Sequence, residues 1–138
     1  MTLHVELVVP DREIWSGSAR MVVAKTLDGD LGVLASHPPV LGILAEGSVI
    51  RILDPETVGD AAQAPPGGEL IAAVSSGFLS VADDRVSILA RSAELGSEVD
   101  VAAARAELEA SADASAQGEE PAEASYARAR LRAAGEQA

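Results

Sequence analysis

The side chains best suited to chemistry lie close together in one stretch, DGDLGVLASHPPVLGIL, residues 28–44, where Asp28 and Asp30 precede Ser36 and His37. A histidine near carboxylates is the raw material of a metal site or a general base. Ser, His and Asp together are that of a nucleophilic triad. Neither pattern is completed. The other histidine is His4, and no H-x-H or H-x-x-x-H spacing exists. Asp28 or Asp30 beside His37 leaves a His/carboxylate site open as a minor reading. Ser36 and His37 are adjacent, which does not readily give triad geometry, and no G-x-S-x-G elbow supports them. There is no GxxxxGK[ST] loop, no GxGxxG and no cysteine. Catalysis by this chain alone is not expected, nor is a bound cofactor or metal.

A second constellation is basic. Arg128, Arg130 and Arg132 alternate near the C-terminus, and Arg128 and Arg132 fall at i, i+4 on one helical face. There they can meet a phosphate or an acidic partner. They can equally form a solvated face that complements the C-terminal end of a helix dipole.

The elements that carry these residues follow from composition and pattern. The chain has 138 residues, 48% of them apolar and only 2% aromatic, so its core is aliphatic. That length suits one compact domain with a smaller appendage. A formal net charge of -12 disfavours direct contact with nucleic acid or anionic lipid. No basic segment leads an apolar run at the N-terminus, so no signal peptide is expected. No stretch approaches the roughly 20 apolar residues of a membrane span. A cytoplasmic protein that meets a membrane only through a partner is expected.

Up to about Arg91 the sequence shows short β-branched runs separated by turn signals. Leu3, Val5, Leu7 and Val9 alternate with His4, Glu6 and Val8, a period-2 strand. REIWSG, ARMVVAK, LGVLA, VLGIL, SVIRIL and LIAAVSSGFLSVADDRVSILAR extend the series, the last containing three strands with a turn at Asp83-Asp84. DPETVGDAAQAPPGGE, residues 54–69, has no periodicity and reads as a flexible loop inserted between two paired strands. Many short strands with apolar residues on both sides predict an antiparallel β-sandwich.

From Ser97 the pattern changes. Ser97-Glu98-Val99-Asp100 matches the S-x-x-[DE] capping signature, with Ser97 as N-cap. VDVAAARAELEASADA is rich in helix formers, SADASAQGEE interrupts it, and Pro121 opens a second helix over EASYARARLRAA. The fold class is mainly β with an α appendage: a sandwich over residues 1–93, then a two-helix hairpin over 94–138. The hairpin's inward residues are mostly alanines, with Val101, Leu108, Tyr126 and Leu131. A buried alanine methyl gains about 0.5–1 kcal/mol against roughly 1.5–3 for leucine. A loosely held hairpin, able to leave the sandwich, is expected.

Two blocks carry a resemblance. Thr26 to Gly47 reads T-x-D-G-D-L-G-V-L-A-S-H-P-P-V-L-G-I-L-A-E-G, and Ser76 to Leu95 reads S-G-F-L-S-V-A-D-D-R-V-S-I-L-A-R-S-A-E-L. Together they resemble the epsilon subunit of bacterial F-type ATP synthases, whose pattern runs roughly T-x-x-G-x-[IL]-G-[IV]-[LM]-x-x-H-x-P-[LV], then GGF-[LI], VTILA and AE. The spacings agree over nearly the whole chain.

The resemblance implies a sandwich of about ten strands and a C-terminal helical hairpin. It also implies a non-catalytic central-stalk rotor subunit that binds the gamma subunit and rests on the c-ring. Such a subunit couples proton flow to ATP synthesis on the cytoplasmic side of the cell membrane, as a peripheral component. Its hairpin can extend toward the catalytic alpha and beta subunits and restrain ATP hydrolysis. By the same resemblance Asp28 and Asp30 face the c-ring, His37 lies toward gamma, and Arg128 and Arg132 suit acidic partners in an extended state. Some members bind ATP through a motif close to [IL]-D-x-x-R-A. Glu94, Val99 and Asp100 fit it here, but Ala103 stands in the arginine's place, and Arg105 lies about 200° around the helix. The alternative is a stand-alone β-sandwich module that docks a protein partner through its helices.

Overall fold

The computed structural model describes residues 2–57, 68–110 and 122–136. Period-2 burial builds the first strand as the alternation predicts. In β1 (Leu3–Val9) Leu3, Val5, Leu7 and Val9 are buried while His4, Glu6 and Val8 are partly exposed. The same alternation recurs in β2 (Arg12–Ala19), β3 (Met21–Thr26), β4 (Gly29–Leu34), β5 (Val40–Leu44) and β6 (Ser48–Leu53). A two-residue β7 (Glu56–Thr57) is followed by β8 (Glu69–Val74), β9 (Gly77–Ala82), β10 (Arg85–Ala90) and β11 (Ala93–Leu95).

Hydrogen bonding runs in the order β11-β8-β6-β3-β5-β9-β10-β1-β2-β7, with β4 paired to β3. The sheet folds over on itself as a sandwich around one aliphatic core of Leu7, Val22, Ile50, Ile52, Leu79 and Ile88 with Trp15. Among the described residues every pairing is antiparallel except β1 with β10, which is parallel. The sandwich is antiparallel as the sequence predicts, apart from this one pair. Nothing forces β1 to run against β10, because the two are joined through most of the chain and not by a hairpin.

The segment 54–69 is not loop throughout. Thr57 and Glu56 pair with Gly17 and Ser18, adding β7 to the edge of β2. β6 and β8 do pair, as the insertion reading requires; residues 58–67 lie outside the described ones.

The helices follow a single 3-10 turn at Gly96–Glu98. Helix α1 spans Val101–Ala110 and α2 spans Ala122–Ala133. Ser97 lies in the 3-10 turn and is not the N-cap. Asp100 is, its Oδ1 accepting from the Ala103 N–H at 3.0 Å. Asp and Ser cap equally well, and the turn at Gly96–Glu98 places the aspartate, not the serine, beside the first free N–H groups. Pro121 and the connecting segment 111–120 lie outside the described residues.

Helix α2 lies on the outer face of β6 and β8. Ala129 and Ala133 pack on Ala73, with Val49, Ile71 and Tyr126 around them. In α1 only Ala104 is fully buried. The alanine-rich face is therefore real, and it allows very close approach. A Cβ on Gly47 would stand 2.4 Å from the Ser125 backbone, and one on Gly96 would stand 2.0 Å from the Ala133 carbonyl oxygen. Those two glycines admit the two ends of α2.

Candidate functional site

The hairpin is held by a buried cation. Arg130 retains 8% of its accessible surface. Its Nε donates to Glu94 Oε2 at 3.1 Å and its Nη1 to Glu107 Oε2 at 2.9 Å. Glu94 belongs to β11 and Glu107 to α1, so one guanidinium ties sandwich, first helix and second helix together. The guanidinium also stands 5.7 Å from the centre of the Tyr126 ring, within cation–π range. Charge-assisted bonds of this kind are shorter and stronger than neutral ones. Arg105 adds a more exposed bond to Glu136 at 3.2 Å. Burial and then the Glu94 charge push the Tyr126 hydroxyl above its usual pKa; Arg130 opposes them and Glu107 assists.

In the sequence Arg130 stands out only as one of three alternating arginines. Its partner Glu94 is 36 residues away, and no periodicity encodes such a pairing. The available signal is its place on the helical face of Tyr126, Ala127, Ala133 and Ala134, at i±3 and i±4, an otherwise apolar face.

The other sequence-predicted residues fall in separate places. Asp28 and Asp30 flank the turn between β3 and β4, both exposed, where Thr26 Oγ1 accepts from the Asp28 N–H at 3.2 Å. His37 follows the far end of that hairpin, where Met21 pairs with Leu34. The register from Thr26/Gly29 to Met21/Leu34 spans five residues, about 17 Å at the usual strand rise. The hairpin thus holds Asp28 and Asp30 far from Ser36 and His37, so neither a triad nor a His/carboxylate metal site forms from them.

Instead, Ser36 donates its N–H to Asp84 Oδ1 at 2.5 Å, which ties the loop to the β9–β10 turn. His37 Nδ1 lies 2.7 Å from the Pro38 carbonyl. A carbonyl only accepts, so in this contact Nδ1 is the donor. His4 pairs with Glu6 at 3.5 Å. Among the described residues no group of three or more His, Cys, Asp or Glu side chains is arranged to hold a metal ion.

Of the two ATP-motif positions, Glu94 is engaged by Arg130 and Asp100 caps α1. Arg128 and Arg132 line a groove of about 440 Å³ between α2 and the sandwich, and Asp30 lies in the same lining.

One surface lacks cover. On the outer face of β5, β9 and β10, Ile43 pairs with Phe78 and Phe78 with Leu89. Leu41 is 71% exposed, Phe78 51% and Leu89 54%. An apolar hollow of about 600 Å³ opens beside Phe78 and Leu89, with Val8, Pro10 and Arg91 in its wall. Contiguous apolar surface of this kind marks a partner site more often than chance exposure.

A β-sandwich with an uncovered apolar strip and a self-docked helical arm has the features of an assembly subunit. Residues 2–96 match the family described as ATP synthase, Delta/Epsilon chain, beta-sandwich domain. The ATP synthase epsilon chain of Thermobifida fusca is 49% identical over 134 residues, 96% of this chain and 91% of that one. That of Streptomyces griseus is 50% identical over 100 residues, 72% of this chain and 71% of that one. A chain in the cryo-EM structure of the Euglena gracilis mitochondrial ATP synthase shares the fold, with a TM-score of 0.64 at 24% identity, covering 94% of this chain and 75% of that one. This chain belongs to the ATP synthase epsilon chain family, and is a non-catalytic component of that complex.

Proposed function

We propose that the chain works as a rotor subunit in the central stalk, bound to gamma through the apolar strip and to the c-ring through the Asp28–Asp30 turn. It couples proton flow to ATP synthesis at the cytoplasmic side of the cell membrane, and is held there by its partners. Among the described residues no helix is long and apolar enough to cross a membrane. Solved chains of like fold belong to mitochondrial ATP synthase assemblies, one of OSCP, F1 and c-ring and one of central stalk and c-ring.

The observation that carries this reading is the different cover of the two outer faces. The face of β6 and β8 is covered by the chain's own α2, while that of β5, β9 and β10 leaves Ile43, Phe78 and Leu89 in solvent. Gamma is the occupant proposed for that strip, with one of its apolar side chains in the hollow beside Phe78. The exposed carboxylates of Asp28 and Asp30 accept hydrogen bonds from basic or polar groups on c-ring loops. His37, held at Nδ1 by the Pro38 carbonyl, offers gamma a hydrogen-bonding ring.

Co-purification with gamma tests the strip. Phe78→Ser is expected to weaken the complex about 10- to 100-fold, the loss of roughly 1.5–3 kcal/mol of apolar burial. Unchanged retention of gamma by that variant contradicts the assignment.

The hairpin, residues 94–138, is the regulatory part of this proposal. Docked, it is inactive. Released, it extends toward the catalytic subunits, where Arg128 and Arg132 meet acidic groups and restrain hydrolysis. The Arg130 clamp and the alanine face support a two-state arm, since a switch requires two arrangements separated by only a few kcal/mol.

A further inference from the structure

The apolar strip on the outer sheet face is a continuous row. Ile43 on β5 pairs with Phe78 on β9, Phe78 with Leu89 on β10, and Leu89 with Val8 on β1. Residues at paired positions share one side of a sheet, so the four make an apolar track across the strands. Three strand spacings, about 14 Å, separate its ends. The hollow of about 600 Å³ opens along the Phe78, Leu89 and Val8 part of this track. Small-ligand sites of such volume are mostly apolar, with a few placed polar groups.

One charged group stands in the wall of the hollow. Arg91 lies two residues beyond Leu89, beside Pro10. Its backbone N–H donates to the Ser76 carbonyl at 2.7 Å, which continues the β9–β10 ladder by one residue. Alternation along a strand then puts Arg91 on the same outer side as Leu89. Its side chain is exposed, and among the described residues no ion pair or side-chain hydrogen bond engages it. Twenty-two of the chain's residues are acidic, yet no carboxylate lines the hollow among the described residues. The track therefore runs from an apolar end at β5 to an unpaired guanidinium beside β10 and β1.

We infer that this hollow binds a free fatty carboxylate, its alkyl tail on Phe78, Leu89 and Val8 and its carboxylate on Arg91. A guanidinium fork matches a carboxylate in both geometry and charge. Neither half of the ligand suffices. An uncharged alkyl chain leaves the guanidinium unused, and a short carboxylate such as acetate buries nothing while meeting the field of a chain of net charge -12. The same field holds the chain off an anionic bilayer, so the ligand is the free acid and not a membrane lipid. Bound there, the tail takes up the strip proposed for gamma, and ligand and gamma exclude each other. That exclusion rests on the rotor reading; the binding itself does not.

The test is calorimetric titration of the full chain with octanoate, decanoate and dodecanoate, each below its micelle concentration. Saturable one-to-one binding is expected, with affinity rising about two- to fourfold for each added methylene. Arg91→Gln is expected to weaken dodecanoate binding at least fivefold and to leave the weaker binding of decanol unchanged. Arg85→Gln makes the same change of charge further along the same strand, and is expected to bind dodecanoate as the unmodified chain does. Phe78→Ser is expected to weaken both ligands. The proposal is overturned by the absence of saturable binding, by affinity independent of tail length, by equal losses in the two arginine variants, or by full binding in Phe78→Ser. The titrations contain no gamma, so their failure leaves the rotor reading in place, and failure of gamma to co-purify leaves the binding site in place.

Discussion

Arg130 shows how one residue can set the energetics of a whole element. An arginine taken from water needs its partners supplied, and Glu94 and Glu107 supply them from two elements at once. Bonds to charged groups contribute about 1.5–3 kcal/mol when buried. Glu107 is half exposed, so its share falls toward the low end expected of solvent-screened pairs. Arg130→Met keeps the apolar stem and removes both bonds. Amide exchange in α2 is expected to quicken about 10- to 100-fold, the equivalent of roughly 1.5–3 kcal/mol of docking, with the core of β1 and β10 unaffected. Unchanged α2 protection removes the clamp from the account of docking.

Tyr126 sets an alkaline limit on the same contact. Burial and the Glu94 charge raise its pKa above the ordinary value of 10.0. Docking therefore favours the protonated phenol, and its contribution is complete below about pH 10 and lost as pH climbs through the higher docked-state value. A dye pair spanning sandwich and α2 is expected to report constant docking near neutrality and release at the alkaline end. Tyr126→Phe should abolish that component; an identical alkaline profile in the variant shows that another group is responsible.

At the scale of elements, the hairpin's position rests on what is missing from two residues. Gly96 leaves the space that the Ala133 carbonyl occupies. Gly96→Ala puts a methyl where backbone already stands, so the end of α2 must move away. Faster exchange in α2 with an unchanged sandwich melting transition is expected, and full protection of α2 in that variant contradicts the close approach.

The strands were legible in the sequence because period-2 alternation is a local property, and Leu3, Val5, Leu7 and Val9 are each buried as their spacing predicts. β7 was not legible: two residues cannot display a period, and Glu56 and Thr57 become a strand only because β2 offers an edge. The capping signature at Ser97 had the right chemistry in the wrong place. Local pattern does not reveal that Gly96–Glu98 forms a 3-10 turn, which moves the helix start on to Asp100. The proposed partner-site residues are nameable only through family resemblance. The separation of Asp30 from His37 by the length of the β3–β4 hairpin, and its position in the groove beside Arg132, needed the register and the packing.

For the whole molecule, the distribution of apolar surface is the organising fact. One outer face is covered by an arm that buries mainly alanine methyls and is tied by one guanidinium; the other leaves Ile43, Phe78 and Leu89 in solvent. The sandwich core around Ile50, Ile52, Leu79 and Ile88 contains no residue of the arm, which is what the proposed movement of the arm requires. The most direct measurement is ATP hydrolysis by the reconstituted catalytic complex, with the full chain and with a chain ending at Leu95, which retains β11. If the released hairpin is a brake, hydrolysis is expected to be at least twofold faster with the shortened chain, at equal occupancy of the complex. Equal rates with both chains bound would contradict the regulatory role and leave the sandwich as the working part.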